Sequence, residues 1–112
     1  MKEADVALTP IPQADGTIKN RPVVLLRELP PYQDFLVCGI STQLHQEVVG
    51  FDDVISPDDS DFIASGLRVK SLIRLGFLAV VPRSRVIGSI GSISSARHKR
   101  LLTTLSNYLV SN

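Results

Sequence analysis

The chain has 112 residues, of which 44% are hydrophobic and 21% are charged. This balance is typical of a globular protein and too apolar for a disordered one, so we expect residues 1–112 to form one domain. A formal net charge of +1 argues against nucleic-acid binding driven by bulk charge alone. The single cysteine, Cys38, excludes an internal disulfide, and with two histidines it cannot build a structural zinc site of the usual kind.

The N-terminus and the apolar runs indicate the cellular compartment of the protein. The N-terminus lacks a basic flank followed by an apolar stretch and a small-residue cleavage site, so no signal peptide is predicted. No apolar run approaches the length of a membrane span. Cys38 lies within an apolar run, which favours a small buried hydrophobe over a nucleophile. We therefore expect a protein of the reducing cytoplasm.

The first part of the chain predicts three β-strands. Asp5–Ile11 forms the first, and the prolines around its end are expected to stop it. Gln13–Thr17 is a turn in which an Asp-Gly pair supplies a positive φ. The apolar, β-branched run Val23–Leu26 is typical of a buried strand. It is expected to pair with Phe35–Ile40 as an antiparallel hairpin, because Pro30-Pro31 separates the two runs.

Further strands are predicted in the middle of the chain. Glu47–Ile55 is expected to hold one, followed by a solvated acidic turn or a short helical turn at Asp58–Asp61. Ser71–Val81 is the next, and alternation places Leu72, Arg74 and Gly76 on one face and Ile73, Leu75 and Phe77 on the other. Val86–Gly91 is a last short strand or extended link.

The C-terminal part predicts an amphipathic helix from Ser95 onward, capped by Ser94 or Ser95. Its apolar stripe consists of Leu101, Leu102, Leu105, Tyr108 and Leu109. Positive residues at 97–100 occupy the first turn, where they oppose the helix dipole. A nearby anion would explain them, but a solvated first turn is the favoured interpretation. Five to seven short strands and one helix together predict a mostly-β, strongly bent barrel or half-barrel.

The charges are unevenly distributed along the chain. Acidic residues concentrate between Asp52 and Asp61, whereas the second half is rich in basic residues: Arg68, Lys70, Arg74, Arg83, Arg85, Arg97, Lys99 and Arg100. Scattered solvated charge is the favoured interpretation, and a locally basic face that attracts phosphates stays open. A barrel this small is also expected to leave an apolar face that a dimer partner would cover.

Several short motifs follow one another in a characteristic order. They are Ala4-Asp5-Val6, Asp15-Gly16, Lys19-Asn20-Arg21-Pro22-Val23-Val24, Ile40-Ser41-Thr42-Gln43, Ser65-Gly66-Leu67, Ser71-Leu72-Ile73-Arg74-Leu75 and Val86-Ile87-Gly88-Ser89-Ile90-Gly91. The ordered set, from about Ala4 to Leu109, resembles the MazF/PemK (Kid) family of toxin ribonucleases. The resemblance implies an SH3-like barrel, a homodimer, and a toxin held in check by a cognate antitoxin.

The same resemblance implies sequence-selective cleavage of single-stranded RNA or mRNA without a metal or other cofactor. In such enzymes the 2′-hydroxyl attacks its neighbouring phosphate, giving a 2′,3′-cyclic phosphate and a free 5′-hydroxyl. By this resemblance Arg21, Ser41 and Arg74 are the catalytic residues. An arginine can donate two parallel hydrogen bonds to phosphate, and a serine hydroxyl can donate a third. The alternative for Arg21 is a surface arginine paired with Asp15 or Glu28.

Five further residues are candidates for RNA binding. Asp15 and Lys19 lie in the loop that borders the RNA groove in relatives, where Asp15 would contact RNA or shape the loop. Thr42 is a substitute for Ser41, and Gln43 would read a base edge or merely end its strand. His45 is a substitute general base. A substitute base is needed because this chain has Gly76, two residues after Arg74, where the PemK-like branch carries an aspartate.

Aromatic residues are few, at 5% of the chain, and none is near Arg21 in sequence. Base stacking is therefore expected to be a minor contribution, with Tyr32 the one exposed candidate. Three other functions stay open on the same barrel: a degenerate toxin that only binds antitoxin or RNA, a CcdB-like protein-targeting toxin, and an SH3-like peptide-binding domain. CcdB-like toxins end in a tryptophan-containing tail, and this chain has no tryptophan. SH3-like peptide-binding domains line their groove with aromatic residues, which are few in this chain.

Overall fold

Six β-strands and one α-helix follow one another along the chain, and the computed structural model describes every residue from 1 to 112. The strands are β1 (Asp5–Pro12), β2 (Ile18–Leu29), β3 (Asp34–Ser41), β4 (Asp53–Ile55), β5 (Ser71–Val81) and β6 (Gly88–Ser92), and the helix is α1 (Ser95–Leu109). Single 3-10 turns lie at Leu44–Gln46 and Arg83–Arg85.

The strands form one curled antiparallel sheet in the order β4-β5-β3-β2-β1-β6, and α1 closes it. This confirms the predicted mostly-β half-barrel with a C-terminal helix. β2 and β3 pair as the expected hairpin, from Val23 opposite Gly39 to Leu29 opposite Asp34. The turn between β1 and β2 contains Gly16 at a φ of +87°, as the Asp-Gly pair predicts.

Buried side chains lie on both faces of the sheet. One cluster consists of Val6, Val24, Leu26, Cys38, Ile40, Ile55, Phe62, Ile73, Leu75, Ile93, Leu101 and Leu105. The other consists of Ala7, Ile11, Val23, Leu25, Phe35, Val37, Val81 and Val86. Cys38 is fully buried, and burial raises the pKa of its thiol to about 12, so it is the small hydrophobe that the sequence predicts. In α1 only Leu101 and Leu105 of the predicted stripe are buried, while Tyr108 and Leu109 are exposed.

Several strand boundaries differ from the prediction, and those of β1 and β4 have a local cause. β1 continues through Pro10 and Pro12 because β6 pairs only with Asp5–Leu8, so these prolines have a neighbouring strand on one side alone. The predicted strand over Glu47–Ile55 shrinks to β4. The Asp52 side chain accepts the backbone N–H of Val48 at 3.0 Å and so holds the preceding residues in a turn.

A bulge in β5 breaks the alternation that the sequence predicts. Arg74 is opposite Gly39 and Leu78 is opposite Cys38, so the residues between Arg74 and Leu78 have no partners on β3. As a result Phe77 lines the same cleft as Arg74 instead of sharing a face with Leu75. The predicted assignment of Phe77 is wrong, because period-two alternation fails across a bulge.

The start of α1 is only partly solvated. Ser94 caps the helix, as predicted, by accepting the backbone N–H of Arg97 at 3.1 Å. The Arg97 side chain, however, is buried and donates to Asp61 at 2.8 and 3.1 Å, to Asp53 at 2.9 Å and to Asp59 at 3.0 Å. The predicted solvated first turn is wrong for Arg97 and the predicted solvated acidic turn is wrong for Asp61, because both side chains are buried; Asp58, Lys99 and Arg100 are exposed, as predicted. The anions beside the helix are the chain's own carboxylates.

Candidate functional site

A cleft of about 230 Å³ opens where the start of β2 meets the middle of the sheet. The end of β1 and the following turn form one wall, and β3 and β5 form the other. Its lining residues are Ile11, Pro12, Gln13, Ala14, Arg21, Pro22, Val23, Gly39, Arg74 and Phe77. Two of the three predicted catalytic residues, Arg21 and Arg74, therefore share one cleft, although 52 residues lie between them in the sequence.

Strand register explains this meeting. Gly39 on β3 is opposite Val23 on β2 and opposite Arg74 on β5. Side chains two residues apart on a strand point to the same face of the sheet. Arg21 therefore shares a face with Val23 on β2, and Ser41 shares a face with Gly39 on β3. Ser41 lies beside the cleft and not in its lining. All three predicted catalytic residues thus lie on one face, at one end of the sheet.

The cleft carries positive charge without compensation from the protein. None of the ion pairs in the structure includes Arg21 or Arg74, and no carboxylate lines the cleft. The predicted alternative for Arg21 is wrong, since Glu28 pairs with Arg83 and Asp15 accepts from Thr17. Two like charges in a small cleft repel each other unless an anion binds between them. The cleft is therefore suited to an anionic ligand.

Arg21 is held by a neighbour that the sequence did not single out. Its Nη2 donates to Gln13 Oε1 at 2.8 Å, and Gln13 Nε2 donates to the Ile11 carbonyl at 2.9 Å. Because both ends of the Gln13 amide are engaged, the amide has a defined orientation. The backbone of Gln13 also closes the turn, accepting from Gly16 at 3.0 Å and donating to Thr17 at 2.7 Å. The guanidinium is thus attached to a rigid turn.

The hydroxyl of Ser41 is available as a hydrogen-bond donor. Its Oγ accepts the backbone N–H of Gln43 at 3.0 Å, and the structure gives its hydroxyl hydrogen no acceptor. A hydroxyl in this state can still donate to an incoming acceptor. Ser41 is half-buried, and the Gln43 N–H bond orients its side chain.

The predicted RNA-binding residues lie on both sides of this end of the sheet. Lys19 is exposed on β2, two residues from Arg21 and on the same face. Thr42, Gln43 and His45 are exposed where the chain leaves β3. Asp15 shapes the turn: its carboxylate accepts the Thr17 hydroxyl at 2.6 Å and the Thr17 N–H at 3.0 Å, which lowers its pKa. None of these five residues lines the cleft.

A general base is not found among the lining residues, which include neither a carboxylate nor a histidine. His45 is exposed in the 3-10 turn after β3. Gly76 borders a different concavity, and a Cβ at this position would lie 4.0 Å from the Phe51 ring. The bulge therefore directs this position away from Arg21 and Arg74, so even an aspartate here would point out of the cleft.

The sequence missed Phe77 and misplaced the stacking candidate. Tyr32 is 81% exposed, but it lies in the turn at the far end of the β2–β3 hairpin. Eight residues of strand separate Arg21 from Leu29, which corresponds to about 27 Å. Phe77 instead lines the cleft itself, with 37% of its surface exposed. Only recognition of the bulge could have placed it there.

A larger groove of about 800 Å³ lies elsewhere, between α1, β5 and the turn at residues 48–51. Its walls are mainly apolar, with Phe51 and Tyr108 in contact at a ring-centroid distance of 5.0 Å. It contains neither arginine of the cleft. The smaller cleft is the candidate site, because two arginines without a carboxylate partner share it.

The curled sheet and its closing helix form a small half-barrel, and its cleft contains two arginines. The family model for the "PemK-like, MazF-like toxin of type II toxin-antitoxin system" matches residues 2–109. The chain belongs to this family, whose members are endoribonucleases. This match confirms the family resemblance of the sequence. No curated protein matches the chain in sequence.

Two solved structures share the fold. An "Endoribonuclease in complex with its cognate antitoxin from Mycobacterial species" has a TM-score of 0.71 and 11% identity, covering 97% of this chain and 94% of its own. The "Mycobacterium tuberculosis toxin MazF-mt6" has a TM-score of 0.68 and 19% identity, covering 96% of this chain and 98% of its own. These structures confirm the predicted barrel architecture. The helix of the chain lacks the length and apolar character needed to cross a membrane.

Proposed function

We propose that the chain is the toxin of a type II toxin–antitoxin system and a metal-independent, sequence-selective endoribonuclease acting on single-stranded RNA. The observation that carries the proposal is the pair Arg21 and Arg74, two guanidinium groups in one cleft without a carboxylate partner. A phosphodiester of RNA supplies the missing negative charge. Since mRNA is the intended substrate, the proposed site of action is the cytoplasm.

The proposed reaction is an internal transesterification. The 2′-oxygen attacks phosphorus as the bond to the 5′-oxygen breaks; the 2′-hydroxyl loses its proton and the departing oxygen gains one. Negative charge builds on the phosphate oxygens during this step, and Arg21 opposes it with two parallel hydrogen bonds. Arg74 adds a second positive charge, and the free hydroxyl hydrogen of Ser41 adds a further donor.

Proton transfer in the proposed reaction is assigned to water, because no acid or base lines the cleft. A positioned acid or base contributes about 10²–10⁴-fold to the rate of such reactions. We therefore expect slow cleavage that depends on electrostatic stabilisation. Lys19, Thr42, Gln43 and His45, exposed around this end of the sheet, are the proposed contacts for the RNA on either side of the scissile phosphate.

The function is tested on a long RNA in the presence of EDTA. The purified chain is expected to cut it at a limited set of sites, leaving 2′,3′-cyclic phosphate and 5′-hydroxyl ends, which are mapped by ligation-dependent sequencing. Products with a 5′-phosphate would contradict the 2′-hydroxyl mechanism. Loss of all cutting in EDTA, with recovery on adding Mg²⁺, would contradict the metal-independent reaction.

A second candidate function is a toxin-fold module that binds RNA without cleaving it. The absence of a carboxylate and a histidine from the lining of the cleft favours it. This candidate predicts salt-dependent RNA binding and no mapped ends after long incubation. Cleavage by the unmodified chain that is lost in the Arg21→Ala variant would exclude this second candidate function.

We also propose a homodimer and a cognate antitoxin as partners. The ladder with β4 covers only Ser71–Ile73, so the rest of β5 has no strand on that side. Leu78 and Val80 on this free edge are exposed, and the apolar groove adjoins it. An antiparallel edge is self-complementary about a two-fold axis, which favours a second copy of the chain as its cover.

The dimer predicts a particle of twice the chain mass in light scattering at micromolar concentration. Val80→Lys is expected to shift the particle toward the monomer, because a charge would be buried at the covered edge. Ile63→Lys, at a residue that is 90% exposed and not on β5, is the matched control. A monomer at every concentration would contradict the dimer.

Gln13 is expected to act as a positioning residue for Arg21. Gln13→Ala removes the acceptor that fixes the guanidinium, so we expect the cleavage rate constant at saturating RNA to fall about tenfold, roughly the value of one hydrogen bond to a charged group. RNA affinity is expected to change little, because the charge of Arg21 remains. Gln33→Ala, in the distant β2–β3 turn, is the control. An equal loss in both variants would contradict this role.

A further inference from the structure

Phe77 is the one aromatic side chain in the cleft, and the bulge in β5 brings it there. Arg74 lies three residues earlier on the same strand, before the bulge. Phe77 retains 37% exposure, so part of its ring surface is open to a ligand in the cleft. A partly exposed aromatic beside two unpaired guanidinium groups combines the two features by which proteins hold single-stranded nucleic acid.

Gly39 makes room for the ring. A Cβ built at Gly39 would lie 2.9 Å from Phe77 Cδ1 and 3.3 Å from Cγ, both closer than ordinary contact. The ring therefore rests against the backbone of β3 at the position opposite both Val23 and Arg74. This backing limits how far the ring can retreat, so the exposed part of its surface keeps a defined place in the cleft.

We propose that Phe77 is a stacking platform for the nucleobase next to the phosphate held by Arg21 and Arg74. The proposal rests on the function proposed above and adds a base subsite to the phosphate site. Every base presents a flat π-face, so stacking of this kind adds affinity and fixes the position of the strand without selecting one base. Sequence selectivity would then come from residues that contact base edges, such as Gln43.

The absence of tryptophan from the chain makes a direct test possible. Phe77→Trp introduces a single tryptophan into the cleft, and its fluorescence is expected to be quenched when a short 2′-O-methyl RNA binds, because the base stacks on the indole. The 2′-O-methyl group prevents cleavage during the measurement. Tyr32→Trp, at the far end of the hairpin, is the matched control and is expected to keep its fluorescence. An abasic oligomer of equal charge is expected to leave both variants unquenched.

Affinity provides the second measurement. Phe77→Ala is expected to bind the same RNA about 5- to 150-fold more weakly, the range for loss of one aromatic–base stack. Phe77→Tyr is expected to retain binding, and Phe77→Leu, which keeps an apolar side chain, is expected to lose it. Gly39→Ala is expected to weaken binding by displacing the ring. Thermal melting of each variant establishes that it is folded, and light scattering gives its oligomeric state.

The outcomes separate this proposal from the function on which it rests. If the unmodified chain neither binds nor cuts RNA, the proposed function fails and the subsite fails with it. If it binds RNA but Phe77→Leu binds equally well, or if the tryptophan at the cleft is not quenched, the subsite alone is wrong. A change of oligomeric mass in Phe77→Ala with unchanged RNA affinity would assign the ring to a protein contact and overturn the proposal.

Discussion

Replacing Arg21 with alanine is expected to lower RNA cleavage by at least about 10²–10³-fold, the usual loss when one preorganised donor to a developing oxyanion is removed. The reason is that Arg21 combines a full charge with two parallel donors, and Gln13 already holds its guanidinium in place. The measurement is the single-turnover rate on a mapped cleavage site with enzyme in excess. RNA affinity is measured in parallel, so that lost binding is separated from lost chemistry.

Two variants sharpen the Arg21 experiment. Arg21→Lys keeps the charge but loses the planar pair of donors, so we expect activity between that of alanine and arginine. Arg27→Ala is the matched control, because Arg27 lies on the same strand, is exposed, and makes only a weak ion pair with Glu3 at 3.4 Å. Undiminished cutting by a folded Arg21→Ala variant would remove Arg21 from the site, and the barrel would need another phosphate ligand.

Replacing Arg97 with alanine is expected to lower the free energy of unfolding by about 3–5 kcal/mol, the usual cost of removing one partner of a buried ion pair. Arg97 ties the start of α1 to the segment after β4, and its loss leaves Asp61 buried without its cation. Arg100→Ala is the matched control. It removes a cation from the same helix and the same partner, Asp53, but Arg100 is 54% exposed, so a loss below about 1 kcal/mol is expected. Urea unfolding at neutral pH measures both, and equal losses would contradict the special role of Arg97.

The same cluster predicts how the stability of the wild-type chain depends on acid. Hydrogen bonds from Arg97, followed by the Ser94 N–H, outweigh burial and lower the pKa of Asp61 from 3.8 to about 2. A lowered pKa means that the carboxylate stabilises the fold at neutral pH and that this contribution disappears as the pH falls from about 4 to about 2. The contribution amounts to about 2 kcal/mol, since each pH unit is worth about 1.4 kcal/mol.

The Arg97→Ala variant is expected to show a weaker fall in unfolding free energy over that acid range, because its Asp61 has lost the main cause of the lowered pKa. Burial works against the charged form of Arg97, yet the bonds and charges of Asp61 and Asp53 outweigh it and raise the pKa of the guanidinium. Arg97 therefore remains charged throughout, and the titration belongs to the carboxylates. Identical acid profiles for the two chains would contradict this assignment.

Local pattern predicted most of the fold. The run Val23–Leu26 is fully buried, the Asp-Gly pair makes the turn before it, and Ser94 caps the helix, each as its residue types require. These features depend on neighbours within a few residues, which is the information that propensity and periodicity contain. The family resemblance identified Arg21, Ser41 and Arg74, and register brings all three to one end of one face.

Long-range contacts decided the rest. The sequence predicted a solvated Arg97, but folding brings three aspartates into contact with its side chain, from 36 to 44 positions away in sequence. Alternation placed Phe77 on the face of Ile73 and Leu75, but the bulge in β5 turns it into the cleft. The sequence by itself determined the main strands and the closing helix, and its resemblance to the family pointed to the two arginines of the cleft. Only the tertiary structure decided which charges are neutralised and which remain free, because pairing of charges depends on distances between segments that no local pattern encodes.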